Sequence, residues 1–290
     1  MTVHKRVLDA ASHQSATPVD SLAIRVAGRH LYDRVSHGYV HTGAGRESVV
    51  FDRVIRGYEA AYAVPREIPA AAPMDATEAR AVLGQDFIVD VPGAVERAFG
   101  IHVIQADDVA GDCAIQVAGR RVILVGTTPN WFFRNWSIAH ELGHILRGDL
   151  DVAVDSAAAT AAPRTVERAA NAFAAELLLP KGVLSARDWV AVGEKELADF
   201  VWRSGVSTTA LGQRLASLKL ETAPTVRRML GTKTAAFVRR GSELAADPEL
   251  RSSRAAESAA VRFPRDLLDA HLSGVAAGSM DAATLEWMLG

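Results

Sequence analysis

Trp136-Ser-Ile-Ala-His-Glu-Leu-Gly-His-Ile-Leu146 decides how the rest of the chain is read. The segment has helical periodicity, with Asn130 as its start and Gly148 as its stop. Inside it, His140-Glu141-Leu142-Gly143-His144 sets two histidines four residues apart. On a helix such residues lie about 40° apart on one face, so two imidazoles can meet one metal ion at ~2.0–2.1 Å. Glu141 follows the first histidine and can reach a metal-bound water as general base without ligating the metal. Gly143 has no side chain, which lets another element pack closely behind the motif.

A catalytic zinc site needs a third protein ligand and leaves the fourth position for water. The metzincin arrangement, with glycine and a ligand three and six residues after the second histidine, is absent, since Arg147 and Leu150 stand there. Asp149 and Asp151 follow the helix stop and read more simply as solvated loop carboxylates. The next helical stretch, Thr165 to Leu179, offers Glu167 and Glu176, nine residues or 2.5 turns apart and so on opposite sides. Glu167 shares its face with Asn171 and Ala174, polar and small as a ligand face should be, and is the preferred third ligand. Glu176 sits among leucines near the helix end and reads as an exposed carboxylate. Asn171, one turn along, would then hold a ligand histidine through its other ring nitrogen.

Upstream, Gly93–Phe99 reads as a short helix ended by Gly100, and Ile101-His-Val-Ile104 as a strand. Cys113-Ala-Ile-Gln-Val117 and Arg121-Val-Ile-Leu-Val125 are β-branched runs joined as a hairpin. The segment Pro65-Arg-Glu-Ile-Pro-Ala-Ala-Ala-Pro73 is a stiff linker. The expected organisation is an α+β chain: a helical N-terminal domain at 1–78, a core with the zinc-site motif at 79–182, a helix-turn-helix-like segment at 183–222, and a helical C-terminal region at 223–290. Val206–Leu218 has the small turn and amphipathic helix of the second half of a helix-turn-helix, and Phe263–Leu289 is amphipathic.

Composition narrows the class. The 290 residues are 49% hydrophobic and 23% charged with a net charge of −2, which excludes a disordered chain and gives no global attraction to nucleic acid. No apolar run approaches the ~18–20 residues of a membrane span, and the first twenty residues lack a signal-peptide core. One cysteine, Cys113, excludes an internal disulfide and any Cys-rich zinc knuckle. The expected compartment is the cytoplasm, with no membrane partner.

The run Trp136–His144, followed by Glu167-Arg-Ala-Ala-Asn-Ala-Phe-Ala-Ala-Glu-Leu-Leu-Leu-Pro180, resembles the ImmA/IrrE family of zinc metallopeptidases. The similarity extends over roughly residues 80–222. It implies a gluzincin-like fold, Zn²⁺ held by His140, His144 and Glu167, and Glu141 as catalytic base. It also implies a protein substrate, a helix-turn-helix repressor whose cleavage relieves repression in a stress-response, phage or mobile-element operon.

The substrate is expected to add as a strand along the Arg121–Val125 hairpin. The oxyanion donor is left open among Arg134, His102, a tyrosine delivered from the N-terminal segment (Tyr32, Tyr39, Tyr58 or Tyr62), and the metal alone. His30, His37 and His41 read as a surface helix or turn. A competing class is a transcriptional regulator or binding module that keeps the fold, in a toxin–antitoxin or phage-defence pair. DNA binding by Gly205–Leu218 is the weaker expectation, because its second helix offers only Gln213, Arg214 and Lys219 as polar contacts.

Overall fold

The protein is described by a computed structural model over residues 25–33, 38–41, 49–63, 73–84, 87–109, 111–150 and 164–290, with backbone alone for 25–33, 38–41, 49 and 164. In chain order the elements begin with strands β1 (Arg25–Asp33) and β2 (Gly38–His41), then helices α1 (Val49–Ala61), α2 (Ala76–Leu83) and α3 (Val91–Phe99). Strands β3 (His102–Ala106), β4 (Asp112–Val117) and β5 (Arg120–Gly126) lead into α4 (Trp131–Arg147) and α5 (Arg164–Leu178). The rest is helical: α6 (Lys181–Ser185), α7 (Glu194–Ser204), α8 (Thr208–Ser217), α9 (Pro224–Leu230), α10 (Thr234–Gly241), α11 (Pro248–Ala259), α12 (Arg265–Ala276) and α13 (Ala282–Leu289). This is a mixed α+β fold.

The strands form one sheet in the order β2-β1-β4-β5-β3. Strands β4 and β5 are joined by Ala118-Gly119, both with positive φ (46° and 68°), the backbone of a two-residue type I′ turn. Strand β5 pairs antiparallel with β4 and parallel with β3. Its run Val122–Val125 is buried on both faces, as the uninterrupted apolar sequence of an internal strand requires.

Two expectations are corrected here. Residues 25–41 of the region expected to be helical contain strands, with β1 pairing from Arg25↔Gln116 to His30↔Asp112 against β4. Pairing with a distant strand overrides the local helical pattern there. The same pairing covers β4, and β5 lies between β4 and β3, so Arg121–Val125 presents no free edge for a substrate strand. His30 stands opposite His41 across the β1–β2 pair rather than on a helix; His37, Asp151 and most of the proline-rich linker lie outside the described residues.

Alternate residues of the strands feed two cores. Val103, Ala114, Ile123 and Val125 join the inner core with α3, α4, α5, α7 and α8. Ile104, Cys113, Ile115, Val117, Val122 and Leu124 join the outer core with α1 (Phe51, Val54, Tyr58), α12 (Leu267) and α13 (Met288). The outer face is thus closed by helices from both ends of the chain. The amphipathic tail is two helices, broken at Gly278 (φ 67°), with Asp281 capping α13. Among the described residues, no helix is long and apolar enough to cross a membrane.

Candidate metal centre

The helix carrying the histidines starts and stops where its sequence says. Asn130 Oδ1 accepts from the Phe133 amide at 3.4 Å, and Gly148 takes the left-handed conformation (φ 81°). At that stop the Gly148 amide donates to the Ile145 carbonyl, and the Asp149 amide donates to the His144 carbonyl at 2.9 Å. This is a Schellman closure. It folds Asp149 back beside the last turn of α4.

Helix α5 crosses behind α4 where Gly143 has no Cβ. A methyl group there would meet the Phe173 ring and Cβ at 3.1–3.2 Å. Ala170 and Ala174, fully buried, keep the rest of that face small. The close approach brings Glu167, in the first turn of α5, onto the two histidines.

His140 Nε2 and His144 Nε2 are 3.1 Å apart. Glu167 Oε2 is 3.3 Å from His140 Nε2, and its Oε1 is 3.6 Å from His144 Nε2. Ligand atoms around a tetrahedral ion with bonds of ~2.0–2.1 Å stand about 3.3–3.4 Å apart. The three donors therefore have the spacing of three corners of such a site. Two neutral nitrogens and one carboxylate leave a fourth corner open, and the donor set fits a divalent ion of zinc type. His140, Glu141 and His144 are buried, and Glu167 keeps 15% of its side chain exposed.

The electrostatics favour a cation. Burial disfavours a charged His144, but hydrogen bonds to Asp149 and Glu167, with the charges of Glu141 and Glu167, override it and push its pKa up to about 10. Asp149 Oδ2 sits 3.1 Å from His144 Nδ1 and also accepts from Arg147 Nε at 3.4 Å. A carboxylate on the far nitrogen of a ligand histidine fixes its ring and tautomer.

Asp149 therefore takes the place expected for Asn171. Asn171 Oδ1 instead accepts from the Trp136 indole at 3.4 Å, and its Nδ2 donates to the Glu167 carbonyl at 3.0 Å, so it ties α4 to α5. The signal for Asp149 was present in the sequence: a residue directly after a helix-ending glycine returns beside the residue five before it, here His144. Glu176 is no solvated carboxylate. It accepts from the Arg214 guanidinium and from the Lys181 amide, and Arg214 Nε donates to the Leu179 carbonyl at 3.2 Å. Arg214 thus docks α8 onto α5.

Of the oxyanion candidates, Arg134, His102, Tyr58 and Tyr62 are engaged elsewhere, and the side chains of Tyr32 and Tyr39 lie outside the described residues. Arg134, six residues before His140 and about 240° around the helix, bonds to Gln105 and Asn135. His102 bonds to Tyr58 and pairs with Asp266 on the outer face, and Tyr62 also bonds to Asp266.

Residues 96–216 match the family model of Peptidase M78, described as the IrrE N-terminal-like domain. No curated protein matches the chain.

Proposed function

We propose, on the premise that residues 96–216 form a peptidase domain of the ImmA/IrrE type, that the protein is a zinc-dependent endopeptidase acting on a helix-turn-helix repressor. The observation that carries the peptidase reading is the convergence of His140, His144 and Glu167 beside the buried carboxyl of Glu141 on the same helix. A bound zinc ion supplies Lewis acidity that polarises the scissile carbonyl and acidifies the attacking water.

The chain's own residues supply the rest. Glu141 takes the proton of the attacking water and gives it to the departing amide nitrogen, so one carboxylate serves as base and then as acid. Asp149 keeps His144 oriented with its Nε2 toward His140 Nε2 and Glu167, the atoms that would hold the metal. Phe173 and the alanines of α5 close the floor, and a dry floor strengthens each charge interaction above it.

The repressor substrate rests on the family resemblance. A DNA-reading role is left out of the proposal because Arg214, the main cation of α8, is spent on Glu176 and Leu179.

The test is co-expression with candidate helix-turn-helix repressors from the same genome, comparing wild type with Glu141→Gln. The expected result is a cleavage product by mass spectrometry with the wild type, and a rate lower by about 10²–10⁴ with the variant. Both proteins should carry one zinc by elemental analysis. A variant that keeps its zinc and cleaves at the wild-type rate sinks the role of Glu141. Wild-type protein without zinc that retains operator DNA sinks the peptidase reading.

A further inference from the structure

At the start of α4, nine residues and about 13 Å along the helix before His140, the fold encloses a cavity of about 90 Å³. Its walls come from four places: the segment leading into α3, the first turns of α4, the turn between α7 and α8, and α11. Two of its lining side chains, Arg134 at 7% exposure and Trp131 at 8%, are buried with a donor left over. Arg134 spends Nη1 on Gln105 Oε1 at 3.4 Å and Nη2 on Asn135 Oδ1 at 3.1 Å. Its Nε has no partner among the described residues, and neither has the Trp131 indole Nε1. A buried N–H without an acceptor is uncommon because its desolvation is uncompensated. Two at one cavity call for a shared acceptor.

The charge around the cavity points the same way. Arg254 lines it, with its guanidinium 4.0 Å over the Trp202 ring and Nη1 donating to the Trp202 carbonyl, and the exposed Arg203 lies at the rim. Of the two acids, Asp90 is already engaged, accepting from the Gly93 amide at 3.0 Å and pairing with Arg97 at 3.4 Å. The other, Glu257, is exposed and forms no ion pair among the described residues. Three arginines thus face one uncommitted carboxylate, and burial works against the charge on Arg134.

We propose that this cavity binds one small tetrahedral oxyanion, of phosphate or sulfate type, which accepts from Arg134 Nε and Trp131 Nε1. A volume of about 90 Å³ suits a single such group and excludes a nucleoside. The bound anion joins the start of the metal-carrying helix to α11 and to the α7–α8 turn. It makes the rigidity of α4 depend on a soluble ligand, independently of the metal at the helix's other end.

Thermal unfolding of the full chain at fixed pH and ionic strength, titrated with sodium phosphate against sodium chloride, tests this. A site gives a saturating rise in Tm, distinct from the unsaturating rise that an excluded salt produces. The expected result is saturation in the wild type, with apparent affinity lower by about tenfold or more in Arg134→Gln and Trp131→Phe, since each removes a hydrogen bond to a charged acceptor. Arg203→Gln, at an exposed position, should keep the fold and weaken binding a few-fold.

Glycerol phosphate forms a second arm. Saturation by inorganic phosphate alone assigns a free anion, and saturation by both assigns a phosphoryl group that enters from the rim. If wild type, Trp131→Phe and Arg203→Gln all follow one unsaturating line, the cavity holds water and the proposal is overturned, whether or not Arg134→Gln folds.

Discussion

His144, on the inner side of the sheet, and His102, on the outer side, are both largely buried, and their surroundings move them in opposite directions. Burial disfavours the imidazolium in each. At His144, Asp149, Glu167 and Glu141 outweigh burial and push the pKa up to about 10. At His102, Asp266 is the main opposing charge, Arg120 works with burial, and the pKa falls below the usual 6.5. The number of carboxylates that converge on the ring, not its depth, separates a cation-holding site from a neutral clasp. The inner side is built to keep positive charge, a metal ion or a proton. The outer side links α1, β3 and α12 through the hydrogen bond of Tyr58 to His102 Nδ1 at 2.8 Å and the pairing of Asp266 with Nε2 at 3.1 Å.

Removing the metal should expose this difference most strongly. The folded His144 value near 10 lies above the unfolded ~6.5. Its contribution is therefore fully present below pH 6.5 and is lost as pH rises through about 10. Chelator-treated protein should lose stability in urea melts across that window, by on the order of a few kcal/mol. Zinc should remove the slope, because a ligand imidazole is already neutral. A flat alkaline limb in the metal-free protein would break the comparison.

Asp149→Asn comes next. It keeps the shape beside His144 but removes the charge that orients the ring, so zinc affinity in a chelator competition should fall by about 10–100-fold. The alkaline limb of the metal-free protein should also move to lower pH. An unchanged affinity would leave Glu167 as the acid that matters at His144.

What could be read in the sequence follows from how local each feature is. The span of α4, its caps, the hairpin around Ala118-Gly119 and the position of α5 depend on neighbouring residues, and sequence patterning located them. The two histidines of the candidate metal centre share one helix turn, and Glu167 follows from a face argument on the next helix. Strand β1 carries no local signal because it exists through pairing with β4, some ninety residues on, and β2 is a strand through its pairing with β1. The Arg121–Val125 edge was misjudged for the same reason, since β3 and β4 cover it. Glu176 looked idle until Arg214, thirty-eight residues later, was brought against it. The outer core joins α1 to α12 and α13, and no local pattern announces that meeting.

Gly143→Ala tests whether the inner site depends on how closely α5 approaches. Alanine favours the helix by up to about 1 kcal/mol over glycine, and crowding a packed core costs about 1–3 kcal/mol. Three Phe173 atoms at 3.1–3.2 Å, on a side chain only 4% exposed, leave little room to yield. A net loss of about 1 kcal/mol by chemical denaturation is expected, with weaker zinc binding as Glu167 is pushed away. A variant as stable as wild type would show that α5 shifts freely, and the inner site would then be less rigid than its spacing implies.

The smallest effect belongs to the outer side. With its folded pKa depressed, His102 contributes stability that is present above pH 6.5 and lost as pH falls through the lowered value. Asp266 is the largest group raising that value, so Asp266→Asn should move the His102 ring titration, followed by NMR, further down rather than up. The stability change at neutral pH should stay under about 1 kcal/mol, because Asp266 is 56% exposed and solvent screens its pairing. A titration that moved up instead would mean that Asp266 does not hold the His102 value up. The opposition between the two histidines would then rest on something other than the count of facing carboxylates.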